Sequence, residues 1–224
     1  MAPILCAALA SPRVSAATPD MAVALRAGTT GIGLDYDIAL GQRFSARIGY
    51  SGFNYKYMVD TTDVNYGGTF KLSMLSGLAD WYAFNGGFHL TVGVVGNGTT
   101  IDLAGRPSAG GSYTINDHVY SSGEVGSLAG RLKFGNSVSP YVGLGWGNPV
   151  GAGHHLHVLL DVGAIYGGTP HASLAAQCGP ATPSGSSTCA QLQSDVQAEA
   201  HRLQNDVTIV KWYPVVDLGL AYRF

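Results

Sequence analysis

"YPVVDLGLAYRF", Tyr213 to Phe224, closes the sequence and decides how the rest is read. Trp212, Val216, Leu218, Leu220, Tyr222 and Phe224 fall on one parity; Lys211, Asp217, Gly219 and Arg223 fall on the other. A period of two is the signature of a strand, with successive side chains on opposite faces. So greasy a face needs an apolar surface to lie against, either a protein core or lipid. The same alternation runs upstream. "FHLTVGVVGNG" sets Phe88, Leu90, Val92 and Val94 against His89, Thr91 and Gly93. "LHVLLDVGAIY" sets Leu156, Val158, Leu160, Val162 and Tyr166 against His157, Asp161 and Gly163. A soluble β-sandwich also alternates, so the opposite face discriminates. Here it carries small residues and charges of both signs, which is how narrow membrane barrels fill their lumens.

Composition agrees. Of 224 residues only 12% are charged and 32 are Gly, about half and twice the shares usual for globular domains. The net charge of −2 offers no basic surface for nucleic acid and suggests no acidic substrate. Mean hydropathy is +0.15 and no run of about 18 apolar residues occurs, which excludes a transmembrane helix. The fold expected is all-β: an antiparallel up-and-down transmembrane β-barrel. Trp81, Tyr82, Trp146, Trp212 and Tyr213, near strand ends, suit aromatic girdles at the membrane interfaces.

The opening "MAPILCAALASPRVSAATPD" reads as a signal peptide without its basic start, with "VSA", Val14 to Ala16, as the small-x-small cleavage form. Residues 1–17 are assigned to that leader and 18–224 to the barrel. Cys6 leaves with the leader. Cys178 and Cys189 then remain as an even pair in a Pro-, Gly- and Ser-rich loop, and an oxidising periplasm would join them as a disulfide. The loop offers too few further ligands for a zinc site.

Eight clear strands lie near 30–39, 44–57, 66–82, 87–100, 118–134, 139–148, 154–166 and 208–224. Taken as the whole barrel, they invert the rule of short periplasmic turns and long outer loops. Two more strands restore it. The apolar phase flips inside "MAVALRAGTTGIGLDY", which fits a two-residue hairpin on Gly28-Thr29, with a bulge at Gly28 as the alternative. "HASLAAQ" supplies the other. Ten strands are therefore preferred to eight. They place "LGQR", "FNGG", "GNSV" and "GGTP" on the periplasmic side, and the loops near 58–65, 101–117, 149–153 and 178–207 outside. In the last loop, "AQLQSDVQAEAHRLQNDV" spaces Leu192, Val196, Ala200, Leu203 and Val207 by three and four, which predicts one short amphipathic helix.

Strand parity assigns Asp35, Asp37, Arg47, Lys71, Arg131, Lys133, Asp161, Lys211, Asp217 and Arg223 to the lumen, as a structural network or the lining of a pore. In "GHHLH", His155 and His157 share a face. Two such histidines on a strand could share a metal, but no Cys or carboxylate flanks them in sequence, and a polar cluster at the turn lining the lumen is the reading taken. No metal and no cofactor is expected. An enzyme of the outer membrane would need a nucleophile, a His and an orienting acid. Ser, His and Asp are present, but no local motif ties them together. "GLGWGN" and "GVVGNG" lack the strand-to-helix setting of a phosphate loop; Gly at alternate strand positions lets the wall curve.

The terminal stretch resembles the C-terminal insertion signal of bacterial outer-membrane proteins, carried here by Tyr213, Leu218, Leu220, Tyr222 and Phe224. "SPYVGLGWG", Ser139 to Gly147, looks like the "PYVGAG"-type strand of small OmpW-like and OmpA-like barrels. The resemblance implies an up-and-down barrel in the outer membrane of a Gram-negative bacterium, and a monomer is expected. Its partners would be outer-membrane lipids, with the barrel assembly machinery and periplasmic chaperones during biogenesis. It implies no catalytic residue. The function expected is a barrel with a narrow or plugged lumen, serving envelope structure or passage of a small solute. The alternative is a lipid-modifying enzyme, an acyl hydrolase or transferase.

Overall fold

The structure, a computed structural model, describes residues 20–60, 64–84, 86–107, 111–208 and 211–224. The expected leader, 1–17, lies outside them. In chain order the elements are β1 (Met21–Gly28), β2 (Gly31–Ala39), β3 (Phe44–Asp60), β4 (Val64–Trp81), β5 (Phe88–Asn97), β6 (Thr100–Pro107), β7 (Ser112–Ile115), β8 (His118–Ser121), β9 (Val125–Lys133), β10 (Val138–Trp146), β11 (Leu156–Tyr166), β12 (His171–Cys178), α1 (Ser187–Val207) and β13 (Trp212–Arg223).

Eight strands close a ring, β1-β2-β3-β4-β5-β10-β11-β13, and β13 pairs back onto β1. Every pairing is antiparallel. The two faces are inverted relative to a soluble protein. Leu25, Leu34, Ile48, Leu75, Val92, Val142, Val158 and Leu218 are exposed around the outside of the ring, while Arg47, Asp80, Asp161 and Asp217 are buried within it. A continuous apolar belt of this extent is far larger than the patches soluble monomers expose. It is the surface a barrel presents to lipid, so the sandwich is excluded. α1 is not long and apolar enough to cross a membrane.

The ring holds eight strands, where ten were preferred, because β4 serves two partners. Its Met74–Trp81 half pairs with β5 and closes the barrel. Its Val64–Lys71 half continues past the rim and pairs with β6, which pairs with β9, which pairs with β12. "HASLAAQ" is thus a strand, but outside the ring, as is 125–133. Alternation reports that a strand has two faces, and carries no information on which neighbour it takes. The first hairpin also differs from expectation. Gly28 pairs with Gly31 and Leu25 with Leu34, so the turn residues are Thr29 and Thr30. Gly31 takes the left-handed φ of +96°, which glycine adopts without strain.

Both long connections emerge at one end of the barrel. "GNSV" and "GGTP" lie there too, joined by Asn136 N donating to Gly167 O at 3.0 Å. The 149–153 turn lies at the other end with "LGQR", where Gly147 N donates to Gly87 O at 3.0 Å. These three placements correct the expected loop sides: both long connections share one end, although the two-residue Thr29-Thr30 turn lies at that end too. The long connections fold into a cap. Tyr113, Ile115 and Tyr120 of the β7–β8 hairpin pack with Val125 and with Leu192 and Val196 of α1. Ser186 caps α1 by accepting from Cys189 N at 3.2 Å. Cys178 and Cys189 form a disulfide that ties the end of β12 to the first turn of α1.

Candidate functional site: the filled lumen

Eight strands enclose an interior just wide enough for side chains to fill. Here they fill it in two layers. Nearer the short turns lies a charged layer centred on Asp161 of β11. Arg47 of β3 reaches Asp161 through Nη2 at 2.8 Å and Nη1 at 3.3 Å. β3 and β11 are four strands apart in a ring of eight, so this pair spans the diameter. Arg26 of β1 bonds the same carboxylate and also pairs with Asp35 of β2. His89 Nε2 of β5 lies 3.4 Å from Asp161 Oδ1. Arg47 further pairs with Asp80 at 3.5 Å, and Thr91 Oγ1 donates to Asp80 at 2.6 Å. Asp217, directly opposite Asp161 on β13, accepts from Thr30 Oγ1 at 2.9 Å. Asp37 is wholly buried, and its carboxylate has no hydrogen-bond partner among the described residues.

Glycine makes the room. A Cβ on Gly49 would overlap the Asp35 carboxylate, and one on Gly145 would overlap the His89 ring. Each bulky polar group faces a position without a side chain on the neighbouring strand. The second layer, toward the cap, is apolar: Leu72, Met74, Val95, Tyr141, Ile165 and Val215 are buried against one another. The Tyr141 ring lies over Gly143 and Gly163, where any Cβ would collide with it. Between the layers remains a cavity of about 50 Å³, bordered by Arg26, Arg47, Met74, Tyr141 and Asp161. That is room for a few waters.

Of the residues assigned to the lumen by parity, Asp35, Asp37, Arg47, Asp161 and Asp217 meet in the charged layer. Arg223 stands at the mouth beside the short turns, 3.6 Å from Asp20. His157 bonds His154 O and His155 bonds Arg223 O at the same mouth; among the described residues no cluster of His, Cys, Asp or Glu could hold a metal. Lys211 is exposed just before β13. Lys71 points outward. On β4 the inner face is itself apolar (Leu72, Met74, Leu78), so the apolar parity that marks lipid elsewhere marks the lumen here. Arg131 and Lys133 lie on β9, outside the ring, where Leu128 on the opposite parity packs against the cap core. Arg26 and Asp80 were missed, although both alternate with apolar neighbours.

No protein-family model matches the chain, and no curated protein is significantly similar to it. Solved structures are. CarO2 of Acinetobacter baumannii is 23% identical with a TM-score of 0.59, covering 92% of this chain and 98% of that one. CarO of the same organism is 24% identical at the same TM-score and coverage. A major outer membrane protein from Thermus thermophilus is 14% identical with a TM-score of 0.46, covering 93% and 100%. The chain has the fold of outer-membrane β-barrel proteins.

Proposed function

We propose that this chain is an integral outer-membrane barrel with a plugged lumen, whose role is envelope-structural: it anchors a folded cap on the outer surface. One observation carries the reading. The Arg47–Asp161 pair crosses the full diameter beneath a packed apolar layer, so side chains fill the middle of the lumen. A wide channel would leave such charges on opposite walls facing water. The apolar belt supports membrane insertion, and the fold shared with outer-membrane barrels supports the location. The cap sits at the end opposite the chain's last residue, the end that faces outward when the terminal strand runs toward the periplasm.

Planar-bilayer recording of the purified protein tests this. Wild-type protein is expected to give no discrete conductance steps. Single-channel openings from wild-type protein, abolished when Arg47 or Asp161 is changed, would overturn the plug and favour passage of a small solute.

A further inference from the structure

We propose that the outward face of the sheet beyond the rim is a binding surface for the phosphorylated headgroup of an outer-leaflet glycolipid. The inference rests on the membrane placement above and adds a ligand to it. Cross-strand register lays out two rows on this face. Asn54, Lys71, Thr100, Lys133 and His171 form one. Lys56, Thr69, Asp102, Arg131 and Ser173 form the next. Neighbouring strands lie about 4.8 Å apart and same-face residues about 7 Å apart along a strand. Lys71 and Lys133 are therefore about 10 Å apart, with Lys56 and Arg131 one row away. All four cations are exposed. The single carboxylate between them, Asp102, pairs with Arg131. Lys56, Lys71 and Lys133 have no carboxylate partner among the described residues.

The height of these rows identifies the occupant. Lys71 shares the outward face of β4 with Leu75 and Trp81, both exposed. Ten residues separate Trp81 from Lys71, about 33 Å along the strand. At the usual strand tilt this is roughly 25 Å along the membrane normal, the height of the apolar band of such barrels. The cations thus begin where the acyl chains end, on a wall continuous with the lipid-facing one, and lysine stems reach down toward the boundary. Beyond them the same face hollows into a groove of about 520 Å³. Its floor is small (Gly67, Ala104, Ala129, Ala175) and its sides carry Lys56, Met58 and Arg131. Cations low and a small-residue groove above match a headgroup with phosphates near the chains and sugars projecting outward.

The test is native mass spectrometry of detergent-purified protein with bisphosphorylated lipid A and with the same lipid stripped of both phosphates. Wild-type protein should retain the bisphosphorylated form at least tenfold better. K71E/K133E should lose that preference, and K71Q/K133Q should weaken it in the same direction. Heat-modifiable gel mobility confirms that each variant is folded. Equal retention of the two lipids, or undiminished preference in both variants, overturns the proposal. Complete displacement by millimolar inorganic phosphate also overturns it, since the site would then take free phosphate. A tag at Ser186, stained on intact cells, reports separately on the cap's orientation. Staining only after lysis would sink the membrane placement whatever the lipid result.

Discussion

Asp161 accepts from Arg26, Arg47 and His89, whose backbones stand on three other strands of the ring. Taken singly these are ordinary ion pairs; enclosed in the lumen they are interdependent. Two guanidinium groups stand among the carboxylates of Asp35, Asp37, Asp80, Asp161 and Asp217, and Asp161 is the one both arginines share. Removing one partner from a buried charged network leaves the others uncompensated, which costs about 3–5 kcal/mol. Asp161→Ala should therefore lower the urea midpoint of unfolding, read by heat-modifiable mobility, by that equivalent. Asp206→Ala, on an exposed turn of α1, should stay within about 0.5 kcal/mol of wild type. Asp117 would make a poor control, since it holds a left-handed φ of +66° that alanine disfavours. Coincident midpoints for the Asp161 and Asp206 variants would remove the network from the account. Parity alone reached Asp161 and Asp217. It did not reach the glycines opposite the bulky groups, because Gly49 faces Asp35 only once β2 and β3 are in register.

The cap elements are held by one buried hydrogen-bond cluster as well as by their apolar core. Asp195 of α1 accepts from the Tyr120 hydroxyl of β8, from Asn116 Nδ2 at 3.0 Å and from Gln191. His118 lies 3.0 Å away. The Tyr120 hydrogen bond, then that from Asn116, holds the Asp195 carboxyl down at about 2, against 3.8 ordinarily. Burial, then the Asp195 contact, pushes the Tyr120 hydroxyl up to about 12, from 10.0. A lowered carboxyl contributes stability that is present above about pH 4 and lost as pH falls through about 2. A raised phenol contributes stability that is present below about pH 10 and lost as pH rises through about 12. Both of these contributions to the docking of α1 on the hairpin are fully present between about pH 4 and 10. The difference in phenolate absorbance between wild type and Tyr120→Phe should titrate near 12, and a midpoint near the ordinary 10.0 would show the hydroxyl to be neither buried nor bonded to Asp195. The disulfide adds about 3 kcal/mol in the chain-entropy model for so short a loop. The three- and four-residue spacing located α1, and Leu192 and Val196 are buried as that stripe requires, but Leu203 is 41% exposed. Polar side chains along the helix hold it as well. Gln204 accepts from Ala172 N and donates to Pro170 O, and Gln193 donates to Ala176 O. These bonds cover the free edge of β12, a task that hydrophobic periodicity does not report.

Across the whole molecule, the inverted pattern of apolar outside and charged inside was legible from β5, β11 or β13 taken singly, because alternation is local, but not from β4, whose inner face is itself largely apolar. The number of strands in the ring was not. It depends on whether β4 changes partner at its middle, a property of the sheet that no strand carries in its own sequence. Closure of the ring depends on β1 and β13, the most distant strands in the chain, meeting in register. Phe224 stands at the end of that seam, where its backbone N donates to Met21 O at 3.2 Å, and its ring is 64% exposed on the lipid-facing side. A side chain so placed adds little packing within the protein, so its loss should cost the folded barrel little. We propose that Phe224 serves recognition of this strand during insertion. Deleting Phe224 should therefore reduce the amount of heat-modifiable barrel recovered from the outer membrane several-fold. The same variant, refolded from urea into detergent without any assembly machinery, should keep a midpoint close to that of wild type. Equal recovery from cells would remove the insertion role. An equal loss in cells and in detergent would instead assign Phe224 to the stability of the seam.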